Sequence, residues 1–212
     1  MFYLIGGAPR CGKTTIAKYL SKRLGIAWIS SDTLEAIAMG YATAKDFPKR
    51  FPKTIMRKKT KRSNDLMYNK YSPKQIAGAY LIQSQVVWKG IEMLVEAELV
   101  ENRSYIIEGY HIHPQLVLNL QKKYGKRNFK SVFLTKTDVD NIVTSSEKYT
   151  YKNDWFMKRT KEKEIYKKIA EMVSELSRYF LREGKKHGLK VFNMDKNFAR
   201  GMREAQGYLR NN

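Results

Sequence analysis

Residues 7–14 read Gly-Ala-Pro-Arg-Cys-Gly-Lys-Thr, and their spacing, G-x-x-x-x-G-K-T, is that of a phosphate-binding loop. Glycines lack a Cβ, so the backbone can turn sharply and approach a triphosphate closely. The following helix points its free N–H groups at the phosphates, the lysine bridges the β- and γ-phosphates, and the threonine hydroxyl ligates Mg²⁺. We therefore expect ATP and Mg²⁺ as ligands, Lys13 as a catalytic residue and Thr14 as the metal ligand. The expected phosphate-binding residues are Gly7, Arg10, Cys11, Gly12, Lys13, Thr14 and Thr15.

Two carboxylates follow predicted strands and are candidates for the reaction chemistry. Asp32 comes shortly after residues 26–29, and Glu108 comes directly after residues 104–107. Ligands of parallel α/β sheets bind at the carboxyl ends of the strands, so both side chains are expected to face the loop. Asp32 is a candidate general base or Mg²⁺-shell residue, and it is equally a plain N-cap of the next helix, a role that Ser31 can also fill. Glu108 is a candidate to hold a Mg²⁺-bound water or to bind the acceptor.

Histidine and cysteine offer further reactive groups near the same sheet edge. His111 and His113 either contact an anionic acceptor or relay protons, or they are loop residues without chemistry. The third histidine is His187 and the single cysteine is Cys11, so we expect no metal site built from these residues. A thiol near a helix N-terminus can have a lowered pKa, which would make Cys11 reactive, but no catalytic role is indicated and the favoured interpretation is a small residue that fits the loop.

A basic segment at residues 41–75 has the position of an acceptor-covering insertion. It contains eleven Lys and Arg residues against two acidic ones, with aromatic residues interleaved. Pro48 and Pro52 are expected to break regular structure there. Its charge suits an anionic acceptor, and the alternative is a solvated loop, which charge runs commonly form.

A second basic segment is expected to form a lid, at about residues 144–163. Closing a lid expels water and brings cations to the transferring phosphoryl group. Arg159 is the one arginine in residues 148–168, which makes it the candidate for stabilising transition-state charge, with Lys158 as the alternative. Asn193, after the last predicted strand, is placed where adenine commonly lies in such folds.

The elements that position these residues follow from the alternation of short apolar runs with helical spacing. Predicted strands cover residues 2–6, 26–29, 104–107, 129–134 and 189–192. Predicted helices cover residues 12–24, 32–39, 72–101, 116–124, 165–180 and 197–209. Gln83, within the long helix 72–101, either faces the site or lies on the surface, which is the commoner case. Gly184 and Gly188 are expected to follow the end of the helix 165–180.

Composition limits the classes of protein to consider. The net charge of +21 comes from 41 Lys and Arg against 20 Asp and Glu, and it either attracts nucleic acid or reflects a solvated surface. No apolar run is long enough to span a bilayer, so no membrane partner is expected. The first strand begins at Phe2, which leaves no room for a signal peptide, and one cysteine suits a reducing compartment. We expect a cytoplasmic protein.

With these residues in view, the chain resembles the small P-loop kinases of metabolites, such as shikimate and gluconate kinases, and is most similar to the kinase domain of 2-phosphoglycerate kinase. The resembling pieces are residues 7–15, 29–33, 90–92 and 104–114, with a lid containing Phe156 and Arg159. The resemblance implies an α/β P-loop nucleoside-triphosphate hydrolase fold in which one domain, residues 1–212, has a five-stranded parallel sheet flanked by helices. It also implies MgATP and a small anionic acceptor. The segment 41–75 is more basic than the family pattern.

Three functional hypotheses follow. The first is an ATP-dependent kinase of a small anionic metabolite, with 2-phosphoglycerate as a candidate, in which Asp32 or Glu108 orients or deprotonates the acceptor hydroxyl and Arg159 neutralises developing charge. The second is a polynucleotide or nucleotide kinase that binds nucleic acid through its basic surface. The third is an ATP-binding regulatory or toxin-like protein. ATP is favoured over GTP because no Asn-Lys-x-Asp motif occurs.

Overall fold

A computed structural model describes residues 1–148 and 154–210. Five strands form one sheet: β1 (Phe2–Gly7), β2 (Ala27–Ser30), β3 (Tyr105–Glu108), β4 (Phe129–Thr135) and β5 (Lys190–Asn193). Their order is β2-β3-β1-β4-β5, and every neighbouring pair is parallel. The predicted five-stranded parallel sheet is confirmed, and its carboxyl ends bring the segments after β1, β2 and β3 to one edge.

Twelve α-helices lie within the described residues. They are α1 (Lys13–Leu24), α2 (Ser31–Gly40), α3 (Phe47–Arg50), α4 (Pro52–Lys59), α5 (Asn64–Lys70), α6 (Pro73–Ser84), α7 (Trp88–Val100), α8 (Pro114–Tyr124), α9 (Val139–Lys148), α10 (Trp155–Lys158), α11 (Lys163–Lys186) and α12 (Phe198–Arg210). None of the helices in the described ranges is both long and apolar enough to cross a membrane.

Helices cover both faces of the sheet because its central strands are apolar on both sides. Successive strand residues point to opposite faces, so Leu4 and Ile107 pack in one buried cluster while Ile5 and Ile106 pack in the other. Burying one such side chain contributes roughly 1.5–3 kcal/mol. The rigid sheet that results holds the segments at its carboxyl edge in place.

Several expected boundaries are wrong. The predicted helix 72–101 is two helices, α6 and α7, separated by a 3₁₀ turn at Gln85–Val87. Gly184 lies inside α11 rather than after it, because the helix passes so close to β5 that a Cβ there would be 2.4 Å from a Val191 methyl. The N-cap of α2 is Ser30, not Ser31 or Asp32, since its Oγ accepts a hydrogen bond from the Asp32 N–H at 3.3 Å.

The segment 41–75 is largely helical, which corrects the expectation that its prolines break regular structure. Pro48 lies in the first turn of α3, and Pro52 is the first residue of α4. Proline is well tolerated in a first helical turn, because the N–H that it lacks has no partner within the helix at that position. The segment 41–75 therefore contains the folded helices α3, α4 and α5.

Candidate active site

A cleft of about 940 Å³ opens at the carboxyl edge of the sheet. The phosphate-binding loop forms one end of its wall, and α2, α4 and the lid segment line the other parts. Within the described residues, its charged lining comprises six cations, Arg10, Lys13, Lys18, Lys53, Arg57 and Arg159, and four carboxylates, Asp32, Glu35, Glu108 and Asp154. The cleft thus brings together Lys13, Asp32, Glu108 and Arg159, which the sequence assigns to catalysis.

The phosphate-binding loop has the conformation that its glycines permit. Gly7 and Gly12 have φ angles of 126° and 95°, a region that other residues rarely adopt. A Cβ on Gly7 would lie 2.1 Å from the Leu134 carbonyl oxygen, so the close approach of the loop to β4 also requires glycine. Lys13 is 8% exposed and donates a 2.7 Å hydrogen bond to the Ala8 carbonyl, which folds its ammonium group back over the loop.

Thr14 and Glu108 form the hydroxyl–carboxylate pair that a hard cation prefers. Thr14 Oγ1 donates to Glu108 Oε1 at 3.0 Å. Burial raises the pKa of the Glu108 carboxyl, while the Lys13 charge and the Thr14 hydrogen bond oppose that rise. Mg²⁺ binds oxygen ligands and retains several waters, so a threonine hydroxyl with a carboxylate beside it fits this ion. Both residues line the cleft next to the loop.

Asp32 is open to the cleft. Its side chain is 73% exposed, and Ser30 carries out the N-capping of α2 in its place. The interpretation of Asp32 as a plain N-cap is therefore wrong. Its Oδ1 lies 3.8 Å from His111 Nδ1.

A buried network around Glu35 lies behind Asp32 and was missed in the sequence. Glu35 is 5% exposed, and its Oε2 accepts hydrogen bonds from Lys53 Nζ at 3.0 Å, His111 Nε2 at 2.6 Å and the Tyr110 hydroxyl. Its Oε1 accepts from Gln83 Nε2. Burial alone would raise the pKa of Glu35, but the bonds from His111 and Tyr110 and the Lys53 charge outweigh it and lower the pKa to about 2.

This network fixes the protonation of His111. An ionised carboxylate only accepts hydrogen bonds, so the ring carries its proton on Nε2 facing Glu35 and accepts from the Ser31 hydroxyl at Nδ1, 2.7 Å away. Burial lowers the pKa of His111, although Glu35 opposes this. Asp32, Glu35 and His111 could be read as metal ligands, since one atom of each lies within 4.8 Å of the others. The Glu35 carboxylate already forms an ion pair with the Lys53 ammonium group, so this donor set does not fit a metal ion.

Only two of the eleven basic residues in 41–75 line the cleft, Lys53 and Arg57, and both come from α4. The Arg57 guanidinium lies over the Trp155 ring, 5.4 Å from its centroid, and Nη2 is 3.4 Å from the Tyr80 hydroxyl. Its Nη1 is buried and has no hydrogen-bond partner within the described parts of the chain. An aromatic wall thus holds this cation with one donor edge unused.

The lid segment contributes Arg159 and a link to the phosphate-binding loop. Burial lowers the pKa of Arg159, and the charges of Arg57 and Arg62 lower it further, which shows that three cations are crowded here. Arg10 in the loop forms an ion pair with Asp154, the N-cap residue of α10. The alternative candidate, Lys158, is not among the cleft-lining residues of the described chain. Residues 149–153 of the expected lid, including Lys152, lie outside the described residues.

Four other expected residues have contrasting positions. Thr15 lines the cleft. Cys11 is fully buried, and burial raises the pKa of its thiol, so the expectation of a lowered pKa is wrong because desolvation outweighs the helix N-terminus. Asn193 ends β5 and is exposed, and its Oδ1 accepts a 2.6 Å hydrogen bond from the Asp195 N–H. His113 is buried beside Trp88 and Tyr179, away from the cleft lining.

No family model matches the chain. It is 30% identical over 189 residues to a 2-phosphoglycerate kinase of Methanocaldococcus jannaschii, covering 89% of this chain and 56% of that one. It is 26% identical over 191 residues to a 2-phosphoglycerate kinase of Methanopyrus kandleri, covering 90% and 55% of the two chains. The chain therefore spans little more than half the length of these relatives.

A solved gluconokinase from Sinorhizobium meliloti has the same fold as this chain. The two superpose with a TM-score of 0.52 at 10% identity, covering 98% of this chain and 90% of that one. This likeness and the matches to 2-phosphoglycerate kinases confirm the resemblance to P-loop kinases of small molecules. The α/β P-loop nucleoside-triphosphate hydrolase fold predicted from the sequence is correct.

Proposed function

We propose that this chain is an ATP-dependent kinase that transfers the γ-phosphoryl group to a hydroxyl of a small anionic metabolite. The observation that carries the proposal is that one cleft joins a phosphate-binding loop to an exposed carboxylate and two arginines. Phosphoryl transfer depends on positioning and charge stabilisation more than on covalent chemistry, so these parts suffice.

At the nucleotide end, the loop N–H groups and the Lys13 ammonium hold the phosphates of ATP. Thr14, with Glu108 beside it, would hold Mg²⁺, which would neutralise charge on the transferring group. Lys13 exchanges its bond to the Ala8 carbonyl for a phosphate oxygen, which is a stronger acceptor because it is charged. We assign Glu108 to the Mg²⁺ shell rather than to the acceptor because it is hydrogen-bonded to Thr14 and buried.

At the acceptor end, Asp32 accepts the proton of the acceptor hydroxyl, since its carboxylate is exposed to the cleft. Arg57 and Arg159 bind the acceptor's anionic group. The unused Nη1 donor of Arg57 and the crowding of like charges around Arg159 both favour an oxyanion ligand there. Arg159 also stabilises charge on the transferring group if the lid brings it closer.

The names of the relatives make 2-phosphoglycerate the first acceptor to test. The experiment measures ADP formation with 2-phosphoglycerate, other small hydroxy acids, nucleoside monophosphates and 5′-hydroxyl oligonucleotides. Lys13→Ala is the blank and is expected to lose at least about a hundredfold in kcat, the scale of removing one charge-stabilising donor. Lys22→Ala, in the last turn of α1 and outside the cleft lining of the described chain, is the matched control and is expected to retain wild-type activity.

Stimulation by one small anion that is abolished in Lys13→Ala supports the proposal. If only oligonucleotides stimulate ADP formation, the proposal is wrong and the chain is a polynucleotide kinase instead. That second function is favoured by one observation, the nine basic residues of 41–75 that are absent from the cleft lining of the described chain. Turnover that no member of the panel stimulates, with intact MgATP binding, would refute both.

A further inference from the structure

We propose that Glu35 is a positioning residue that anchors α4 to the wall of the cleft, so that Lys53 and Arg57 stand at its acceptor end. This inference rests on the proposed function, because it concerns how that acceptor site is assembled. Glu35 is one helical turn after Asp32 on α2, and residues three apart lie on the same face of a helix. One helix therefore carries both the proposed base and the anchor for the acceptor-binding cations.

Apolar packing holds helix α4 only in part: Met56 packs against the buried core, and Phe51, just before the helix, is fully buried. Its N-cap residue is Phe51, whose apolar side chain has no group to accept from the free N–H donors of the first turn. Every residue of Pro52–Lys59 keeps part of its surface accessible, so the helix docks without a fully buried apolar face. A helix of eight residues is too short to be stable alone in water, so tertiary contacts must supply its stability.

The hydrogen bonds made by the first turn of α4 converge on Glu35. Gln83 of α6 accepts from the Thr54 N–H at 3.0 Å and donates to Thr54 Oγ1 at 3.0 Å, thereby capping α4 from outside. The same Gln83 amide donates to Glu35 Oε1. Lys53, the residue before Thr54, donates to Glu35 Oε2 at 3.0 Å. Glu35 therefore holds the first turn of α4 directly through Lys53 and indirectly through Gln83 and Thr54.

The anchor also distributes charge within the cleft. Lys53 Nζ is bonded to Glu35 and to the Tyr110 hydroxyl, 2.7 Å away, so its charge is compensated locally. The guanidinium of Arg57, one turn later on α4, faces aromatic groups rather than a carboxylate. The positive charge offered to an acceptor by α4 is therefore mainly that of Arg57, and its place depends on the docking of the helix.

The test compares Glu35→Gln, Glu35→Asp and Gln83→Leu with the wild type. Glu98→Gln is the matched control, since Glu98 forms a surface ion pair with Arg103 at 2.6 Å. Amide hydrogen exchange reports the docking of α4 without requiring an acceptor. We expect exchange of residues 52–59 to accelerate at least about tenfold in Glu35→Gln and Gln83→Leu, while residues 13–24 of α1 keep wild-type rates. Glu35→Asp is expected to restore part of the protection, and Glu98→Gln to change nothing.

Steady-state kinetics with 2-phosphoglycerate and ATP give the second readout. We expect the KM for the acceptor to rise about tenfold in Glu35→Gln and Gln83→Leu, with the KM for ATP within about twofold of wild type. Gln83 is not among the cleft-lining residues of the described chain, so an effect of Gln83→Leu on the acceptor must act through α4. If Glu35→Gln fails to fold, Gln83→Leu alone tests the inference. A purely structural role would raise both KM values or lower only the melting temperature.

Two results would overturn the inference. Wild-type exchange of residues 52–59 in both Glu35→Gln and Gln83→Leu would show that Glu35 does not anchor α4. Accelerated exchange with an unchanged acceptor KM would show that α4 does not position the acceptor. If the wild type turns over no acceptor of the panel, the proposed function fails, and the exchange measurement alone then decides whether Glu35 anchors α4.

Discussion

His113 should make the stability of this protein depend steeply on pH between neutrality and about pH 5. The residue is 1% exposed, with Trp88, Tyr179 and Phe180 around its ring. Burial lowers its pKa from 6.5 to about 3, and the neighbouring His111 contributes in the same direction. Below pH 6.5 His113 is protonated in the unfolded chain but stays neutral in the folded protein. Acid therefore favours unfolding, and the free energy of unfolding falls as pH falls.

The size of the effect follows from the two pKa values. No penalty from His113 exists well above pH 6.5, and the penalty grows by ~1.4 kcal/mol per pH unit down to the folded pKa of about 3. At pH 5 this residue therefore costs ~2 kcal/mol relative to pH 7.5. Such a loss is a large part of the 5–15 kcal/mol, roughly, by which domains are stable.

Urea unfolding at pH 7.5 and pH 5.0 measures this cost when wild type and His113→Phe are compared. The variant keeps an aromatic ring in the aromatic cluster and removes the titrating group, so its loss of stability between the two pH values should be ~2 kcal/mol smaller than that of the wild type. Tyr179→Phe is the matched control, because it removes the hydroxyl 3.0 Å from His113 Nδ1 and keeps the histidine. Equal pH dependence in wild type and His113→Phe would refute the reasoning.

Two further predictions concern residues near the cleft. Gly109→Ala should lower the free energy of unfolding by about 2–4 kcal/mol in urea titrations, because φ is +148° and the new Cβ would lie 1.8 Å from Ser31 Oγ. A Ser31→Ala background should recover part of that loss. Equal losses in both backgrounds would contradict the steric argument. Cys11 should react with a thiol reagent at least about a hundredfold more slowly in the native protein than in urea, because its thiol is fully buried and its pKa is raised. Similar rates in the native and the urea-unfolded protein would contradict the burial of the thiol.

The phosphate end of the site was predictable from the sequence because its chemistry is contiguous. Gly7, Gly12, Lys13 and Thr14 lie within eight consecutive residues, and their spacing reflects the shape of a phosphate. Glu108 was predictable for a related reason, since it ends a strand paired in register with β1 and β2. Local patterns identify residues whose partners lie nearby in the chain or at the same sheet edge.

The Glu35 network could not be found in this way. Its members are brought together by tertiary packing from positions 35, 53, 83, 110 and 111, and no spacing rule links them. Gln83 shows the difficulty, because a glutamine on a helix is commonly exposed, whereas here Glu35 and Thr54 satisfy its amide and allow complete burial. Polar residues buried by mutual pairing have no apolar signature in the sequence.

Two local rules did not hold, for different reasons. Proline was expected to interrupt the segment 41–75, yet Pro52 begins α4, where its missing N–H costs nothing. A helix N-terminus can lower the pKa of a thiol, yet Cys11 is removed from water, and desolvation of the thiolate raises its pKa instead. The position of Pro52 within its helix decided the first case, and the sequence leaves such positions uncertain by a few residues. Burial of the side chain decided the second case.

The distribution of charge argues against assigning the whole basic surface to the cleft. Among the residues that the structure describes, the cleft lining has six cations against four carboxylates, an excess of two, whereas the chain as a whole carries +21. Most of the positive charge therefore lies outside the cleft, where salt screens it over ~8–10 Å, and it can speed the approach of any anion. Salt sensitivity of acceptor binding would consequently not identify nucleic acid as the substrate. The slope of binding affinity against salt concentration would identify nucleic acid, because a strand that displaces many counterions loses affinity far more steeply than a small anionic metabolite does.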